Sequence, residues 1–247
     1  MMRVTVLEVP AGWGDPRRAL DQVEGALVAG PETDLVLLPE QSLSGYVSGT
    51  GDFDLTPFAE PLDGPTRAAI AGLARRCSVV VVAPLVLREG NACFNATIAC
   101  GRSGDLLFTY RKRHPWYPEV WATPGPEPAP IVTIGAARVT IAVCFDLHFI
   151  EEDAAPALDA CDLLLFPSAW VAEHDERSVH LPALAKRHRV AIANANWAPG
   201  EVTIAGQGSS SIVGTSGEVL ARVEPLPDAR GHGVRRADAT LALAPRR

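Results

Sequence analysis

The chain has 247 residues, 47% hydrophobic and 21% charged, an ordinary globular balance with enough length to bury a substantial core. Its formal net charge of −7 argues against a nucleic-acid partner, because phosphate contacts call for a basic face. No run approaches the roughly 18 uninterrupted apolar residues of a membrane helix, and no signal-peptide core opens the chain, so a cytoplasmic protein without membrane contact is expected.

Residues 3–9 read as a strand, and 15–29 as a helix with Ala19, Leu20, Val23 and Leu27 on one face. The apolar run 34–38, closed by Pro39, has the character of a buried strand. Asp63-Gly64-Pro65 is a start signal for a helix over 64–76, and the β-branched run 79–83 follows as a strand. Residues 92–100 and 105–110 form a predicted hairpin around Gly101-Arg102-Ser103-Gly104. Residues 114–130 contain seven prolines and glycines together with Trp116, Tyr117 and Trp121, which predicts an ordered loop.

The second half repeats this logic. Strands are predicted at 131–134, 138–143, 162–166 and 190–195, with helices near 151–159 and 176–188. A second hairpin joins 209–213 to 218–222. The whole of 1–247 is expected to form a single domain, with 225–247 a tail that packs late or on a partner chain. Alternating strands and helices with interspersed hairpins predict an α/β fold with mixed sheets.

Cys77, Cys93, Cys100, Cys144 and Cys161 are odd in number and show no CxxC spacing, so free thiols are expected and neither a disulfide framework nor a zinc site. No HExxH or His-x-His cluster offers another metal set, and no cofactor is expected.

Three strand ends carry candidate chemistry. Glu40 follows the apolar run 34–38, where partial burial can raise a carboxyl towards the range of a working base. Cys144 ends the run Val139-Thr140-Ile141-Ala142-Val143, in the manner of a nucleophile elbow. The helix beginning near Glu151 is expected to direct N–H groups at this region and lower the thiol pKa. Lys112 follows the hairpin, where a cation can stabilise an oxyanion or balance two carboxylates. Taken singly, these residues also read as a solvated loop Glu, a buried core Cys and an exposed basic run.

Taken in order, Glu, Lys and Cys at successive strand ends resemble the nitrilase superfamily of carbon–nitrogen hydrolases. The matching motifs are Leu38-Pro39-Glu40 with Ser44-Gly45-Tyr46, then Tyr110-Arg111-Lys112-Arg113-His114, then Cys144-Phe145-Asp146-Leu147-His148-Phe149-Ile150-Glu151. Phe166-Pro167-Ser168-Ala169-Trp170 and Asn194-Ala195-Asn196-Trp197 extend the likeness, which covers roughly residues 3–224.

The resemblance implies a four-layer α-β-β-α sandwich with two mixed sheets. It also implies thiol-dependent hydrolysis of a small amide, with Cys144 as nucleophile, Glu40 as general base, and Lys112 with the Phe145 N–H stabilising the oxyanion. Glu119, in Tyr117-Pro118-Glu119, is assigned to orient substrate or Lys112, and Phe145, His148, Trp170 and Tyr117 are assigned to the substrate pocket. His148 stands where many relatives have Arg, Ile150 where they have Pro, and Pro115 where they have Leu. Phe145-Asp146, in place of the Trp-Glu of nitrilases proper, favours amides, with N-carbamoyl compounds and nitriles as alternatives. An inactive, ligand-binding relative is a further alternative. The family likeness also implies a homodimer or larger assembly built on the face that carries the helix after Cys144.

Overall fold

The computed structural model describes residues 1–171, 175–224 and 233–242. Its first sheet gathers β1 (Met2–Glu8), β2 (Leu35–Leu37), β3 (Val80–Glu89), β4 (Ala92–Cys100) and β5 (Leu106–Arg111). Helix α1 (Pro16–Ala29) lies between β1 and β2 in the chain, and α2 (Pro65–Cys77) between β2 and β3. The second sheet contains β6 (Val132–Ile134), β7 (Ala137–Ile141), β8 (Leu163–Ser168), β9 (Ala191–Asn196), β10 (Ser211–Val213) and β11 (Val219–Arg222). Helices α3 (Ile150–Ala160) and α4 (Arg177–His188) precede β8 and β9, and β12 (Arg235–Leu241) returns to the first sheet.

The sheet orders are β12-β1-β2-β3-β4-β5 and β11-β10-β9-β8-β7-β6. β1-β2-β3 and β7-β8-β9 are parallel, and the remaining pairings are antiparallel, so both sheets are mixed.

The period-two alternation of a strand explains how one sheet serves two cores. Val4, Val6, Leu35, Leu37, Val80 and Val82 face the second sheet and pack with Ile141, Leu165 and Ile192. The intervening Leu7, Val36, Leu38, Val81 and Ala83 point outward and pack with Leu20 and Val23 of α1 and Ile70 and Leu73 of α2. Because α3 and α4 add Ala154, Leu158, Leu181 and Ala185 to the core of the second sheet, the layers run α-β-β-α. This is the architecture that the sequence resemblance implies. Among the described residues, no helix is long and apolar enough to cross a membrane.

Two elements depart from the sequence reading. The strand predicted at 79–83 runs on to Glu89, through Pro84. Its even-numbered residues turn their backbone away from β4: Val82 accepts from Leu38, Val86 accepts from Glu60, and Arg88 donates to Glu60. Pro84 therefore faces the side that β2 has vacated, where a missing N–H costs no ladder bond. The second departure lies in the tail. Residues 225–232 and 243–247 fall outside the described residues, but 235–241 pair antiparallel with β1, from Met2↔Leu241 to Glu8↔Arg235. A charged edge strand of this chain therefore occupies part of the predicted tail, paired within its own sheet.

Glu8 fastens that edge. Its side chain is fully buried, and its carboxylate accepts the Ser210 N–H at 2.8 Å and pairs with Arg235. Burial pushes this carboxyl upward, against the pull of Ser210 and Arg235. Arg235→Ala is expected to strand the carboxylate and lower stability by about 3 kcal/mol, read from urea denaturation near neutral pH; an unchanged midpoint would refute the assignment.

Candidate active site

Each candidate residue sits where a strand stops. The β2 ladder continues through the Leu38 N–H to the Val82 carbonyl and is ended by Pro39. Glu40 follows, and Gln41 then turns left-handed at φ 50°. Lys112 directly follows β5, with its N–H on the Asn95 carbonyl (2.8 Å) and its carbonyl accepting from Gly125 (2.8 Å). A Cβ at Gly125 would lie 2.2 Å from the Arg111 carbonyl oxygen, so glycine is what lets this loop run against the lysine strand. Cys144 comes three residues after Ile141, the last residue of β7, and opens a 3-10 turn, Cys144–Phe149, that leads into α3.

Cys144 has φ 45°, a left-handed backbone that costs a residue other than glycine about 1–2 kcal/mol. Asp146 supplies the compensation. Its Oδ2 accepts the Val143 N–H (3.0 Å) and the Tyr110 hydroxyl (2.8 Å), and its Oδ1 accepts the His114 N–H (2.9 Å). These three bonds oppose the strain, while burial still pushes the Asp146 carboxyl above its ordinary range.

The centre of the cluster is the Lys112 ammonium, which has no solvent exposure. Its Nζ donates to Glu40 Oε1 at 2.7 Å and to both oxygens of Glu119 at 2.9 and 3.0 Å. Glu40 Oε1 also accepts from Asn95 (2.8 Å), while Oε2 accepts the Ala169 N–H (3.0 Å). Glu119 is held by the Tyr46 hydroxyl (2.9 Å), the Trp116 N–H (3.1 Å) and Asn95 (3.3 Å). Asn95 is itself oriented by Gln41, whose Nε2 donates to Asn95 Oδ1 at 2.7 Å.

Burial by itself would push Lys112 down, but the attraction of Glu40 and then Glu119 prevails, and the ammonium is held far above its ordinary range. Glu119 is pushed up by its burial, with Lys112 opposing and Glu40 adding to the rise. The Cys144 thiol is also raised, first by burial and next by the charge of Glu40, against Lys112 and the Ala169 N–H. This corrects the expectation of a thiol lowered by a helix N-terminus. The α-helix begins only at Ile150, six residues on, and burial outweighs it. Burial thus favours the thiol form of this sulfur over the thiolate.

The structure thus gathers Glu40, Lys112, Glu119 and Cys144 into one electrostatic cluster. Cys144 opens into a recess of about 140 Å³ with Trp116, Phe145, His148, Ala169, Trp170 and Val171. His148 stacks on Trp170 with ring centroids 5.9 Å apart, and Trp170 carries the Arg177 guanidinium on its ring at 5.7 Å. Tyr117 requires correction. It is 78% exposed and outside the recess, while its neighbour Trp116 lines the wall.

Sequence reasoning does not single out Tyr46, Asn95 and Ala169 as site residues. Asn95 left a usable signal: an amide inside the buried strand Ala92–Cys100 must find partners, and here they are the two glutamates. Cys77, Cys93, Cys100 and Cys144 are free thiols, and among the described residues no cluster of His, Cys, Asp and Glu could hold a metal ion.

Comparison with known proteins agrees with this geometry. A family model described as carbon-nitrogen hydrolase matches residues 9–230. An omega-amidase from Danio rerio is 28% identical over 78% of this chain and 73% of its own length. An N-carbamoylputrescine amidase from Oryza sativa subsp. japonica is 26% identical over 76% of this chain and 69% of its own. A crystal structure of an amidase from Nesterenkonia sp. superposes with a TM-score of 0.81 at 26% identity, covering 96% of this chain and 90% of that one.

Removing the ammonium tests the electrostatics. In Lys112→Met, Glu119 loses its main counter-charge, so the folded chain keeps a carboxyl proton that the unfolded chain releases above the ordinary carboxylate range. Stability relative to the parent should then fall as pH rises from about 5 to about 8, reaching a deficit of about 3 kcal/mol. Urea denaturation at the two pH values measures this, and a deficit independent of pH would contradict it.

Proposed function

The chain belongs to the carbon-nitrogen hydrolase family and acts on C–N bonds other than peptide bonds, and from that premise we propose that it cleaves a small amide through a thioester on Cys144. The observation that carries this reading is the 2.7 Å contact between Glu40 and a fully buried Lys112, beside a thiol that opens into the recess.

In the proposed reaction Glu40 takes the thiol proton as the sulfur attacks the carbonyl carbon. The oxyanion is stabilised by the Lys112 ammonium and the Phe145 N–H, donors that are fixed before charge develops. Collapse breaks the C–N bond, and the proton held by Glu40 passes to the leaving nitrogen, which departs as ammonia or an amine. Water then attacks the thioester while giving a proton to Glu40. The second tetrahedral adduct expels the sulfur, which recovers that proton, and a carboxylic acid is released. Glu119, bonded through both oxygens to Lys112, keeps the ammonium charged and aimed throughout.

Trp116, Phe145, Trp170 and Val171 give the recess an aromatic and apolar wall, and its volume of about 140 Å³ suits a compact substrate. N-carbamoyl compounds would pass through the same steps, and nitriles would use the same sulfur.

Cys144→Ala should abolish turnover while circular dichroism shows a folded protein; full activity in that variant would reject the proposed nucleophile. An ammonia assay on matched amide, ureido and nitrile substrates should show the amide turned over fastest. Turnover of the nitrile alone would reverse the ranking.

A further inference from the structure

Asp146 is a buried carboxylate that takes no part in the steps above. Its three hydrogen bonds fall in a pattern. Tyr110 stands two residues before Lys112 and His114 two residues after it, and both donate to Asp146, at 2.8 and 2.9 Å. Val143 stands directly before Cys144 and also donates to it, at 3.0 Å. One side chain is therefore bonded to the backbone or side chain on either side of the lysine, and it spans the left-handed residue that carries the thiol. The lysine segment leaves the first sheet and the thiol turn leaves the second, so the bonds bridge the two. The His114 ring strengthens the joint by stacking on Phe149 at 4.1 Å and contacting Asp153 at 2.6 Å.

We infer that Asp146 is a positioning residue that sets the separation between Lys112 and Cys144. The inference rests on the reading of Cys144 as nucleophile and Lys112 as oxyanion donor. Its chemistry is specific to a carboxylate. Val143 and His114 offer backbone N–H groups, which can only donate, so both oxygens of residue 146 must accept. An asparagine keeps one accepting oxygen and turns an NH₂ group on the remaining donor. The shape is nearly unchanged, yet one side of the bridge is released.

The test compares Asp146→Asn and Tyr110→Phe with the parent on an amide that the parent turns over. A shift of about 1 Å between reacting groups costs about 10²-fold in rate, so Asp146→Asn should lower kcat by that order, with KM moving less than about threefold because the recess wall is untouched. Tyr110→Phe should lower kcat less, by about tenfold, and should add nothing in the Asp146→Asn background. Circular dichroism and thermal melts establish that each variant is folded. A native kcat in folded Asp146→Asn, or a loss that tracks only the folded fraction, would overturn the inference. If Asp146→Asn does not fold, Tyr110→Phe decides alone, a native kcat again overturning it. Cys144→Ala, run alongside, separates the two levels: if it is inactive while Asp146→Asn is native, only the positioning role fails, and if it is active, the reading of the nucleophile fails first.

Discussion

An ammonium with no access to water is the constraint on which the rest of this molecule depends. Lys112 can remain charged in the interior only because Glu40 and Glu119 lie within 3.0 Å of its Nζ. Those carboxylates in turn need their own donors, and Asn95, Tyr46, the Trp116 N–H and the Ala169 N–H supply them. A buried network of this kind is stabilising only when every member is satisfied, so the positions of β2, β4, β5, β8 and the 116–119 loop are mutually fixed. The same arrangement places a carboxylate, a fixed cation and a thiol in one cluster, the set that the proposed mechanism requires.

The two-sheet architecture makes that meeting possible. β2, β4 and β5 bring Glu40, Asn95 and Lys112 to the end of the first sheet. β7 and β8 bring Cys144 and Ala169 to the end of the second. The Ala169 N–H reaching Glu40 Oε2 is a hydrogen bond from one sheet's strand end to the other's. Contacts from Tyr110 and His114 to Asp146 do the same on the far side of the lysine. The cluster is therefore a seam between halves of the fold, assembled only when the two sheets are packed.

How much of this was legible in the sequence follows from what each signal depends on. Glu40, Lys112 and Cys144 could be found because strand ends are written in local periodicity, and polar residues immediately past them stand out. Asn95 and Tyr46 depend on which strands become neighbours, which a linear pattern does not encode. The exchange of Tyr117 for Trp116 lies in a loop without periodicity, where one ring lines the recess and the next, packed edge-on against it, is exposed. The thiol was misread because a helix start can be seen along the chain whereas the depth of burial cannot. β12 was hidden by its composition: Arg235, Arg236 and Asp238 suit an edge strand with one wet face, and the same letters read as a tail.

The pairing of β12 with β1 has a consequence for how the chain reaches its native state. Met2 lies opposite Leu241, so β1 finds its outer neighbour only after all the intervening strands have been made. Loop closure over so long a separation is entropically costly. Until then the outer edge of β1 presents unpaired backbone groups, a template for pairing with another nascent chain. Vectorial folding can proceed from β2 onward, but the outer edge of the first sheet closes only once β12 has been made, so until then that edge is where the risk of aggregation is concentrated.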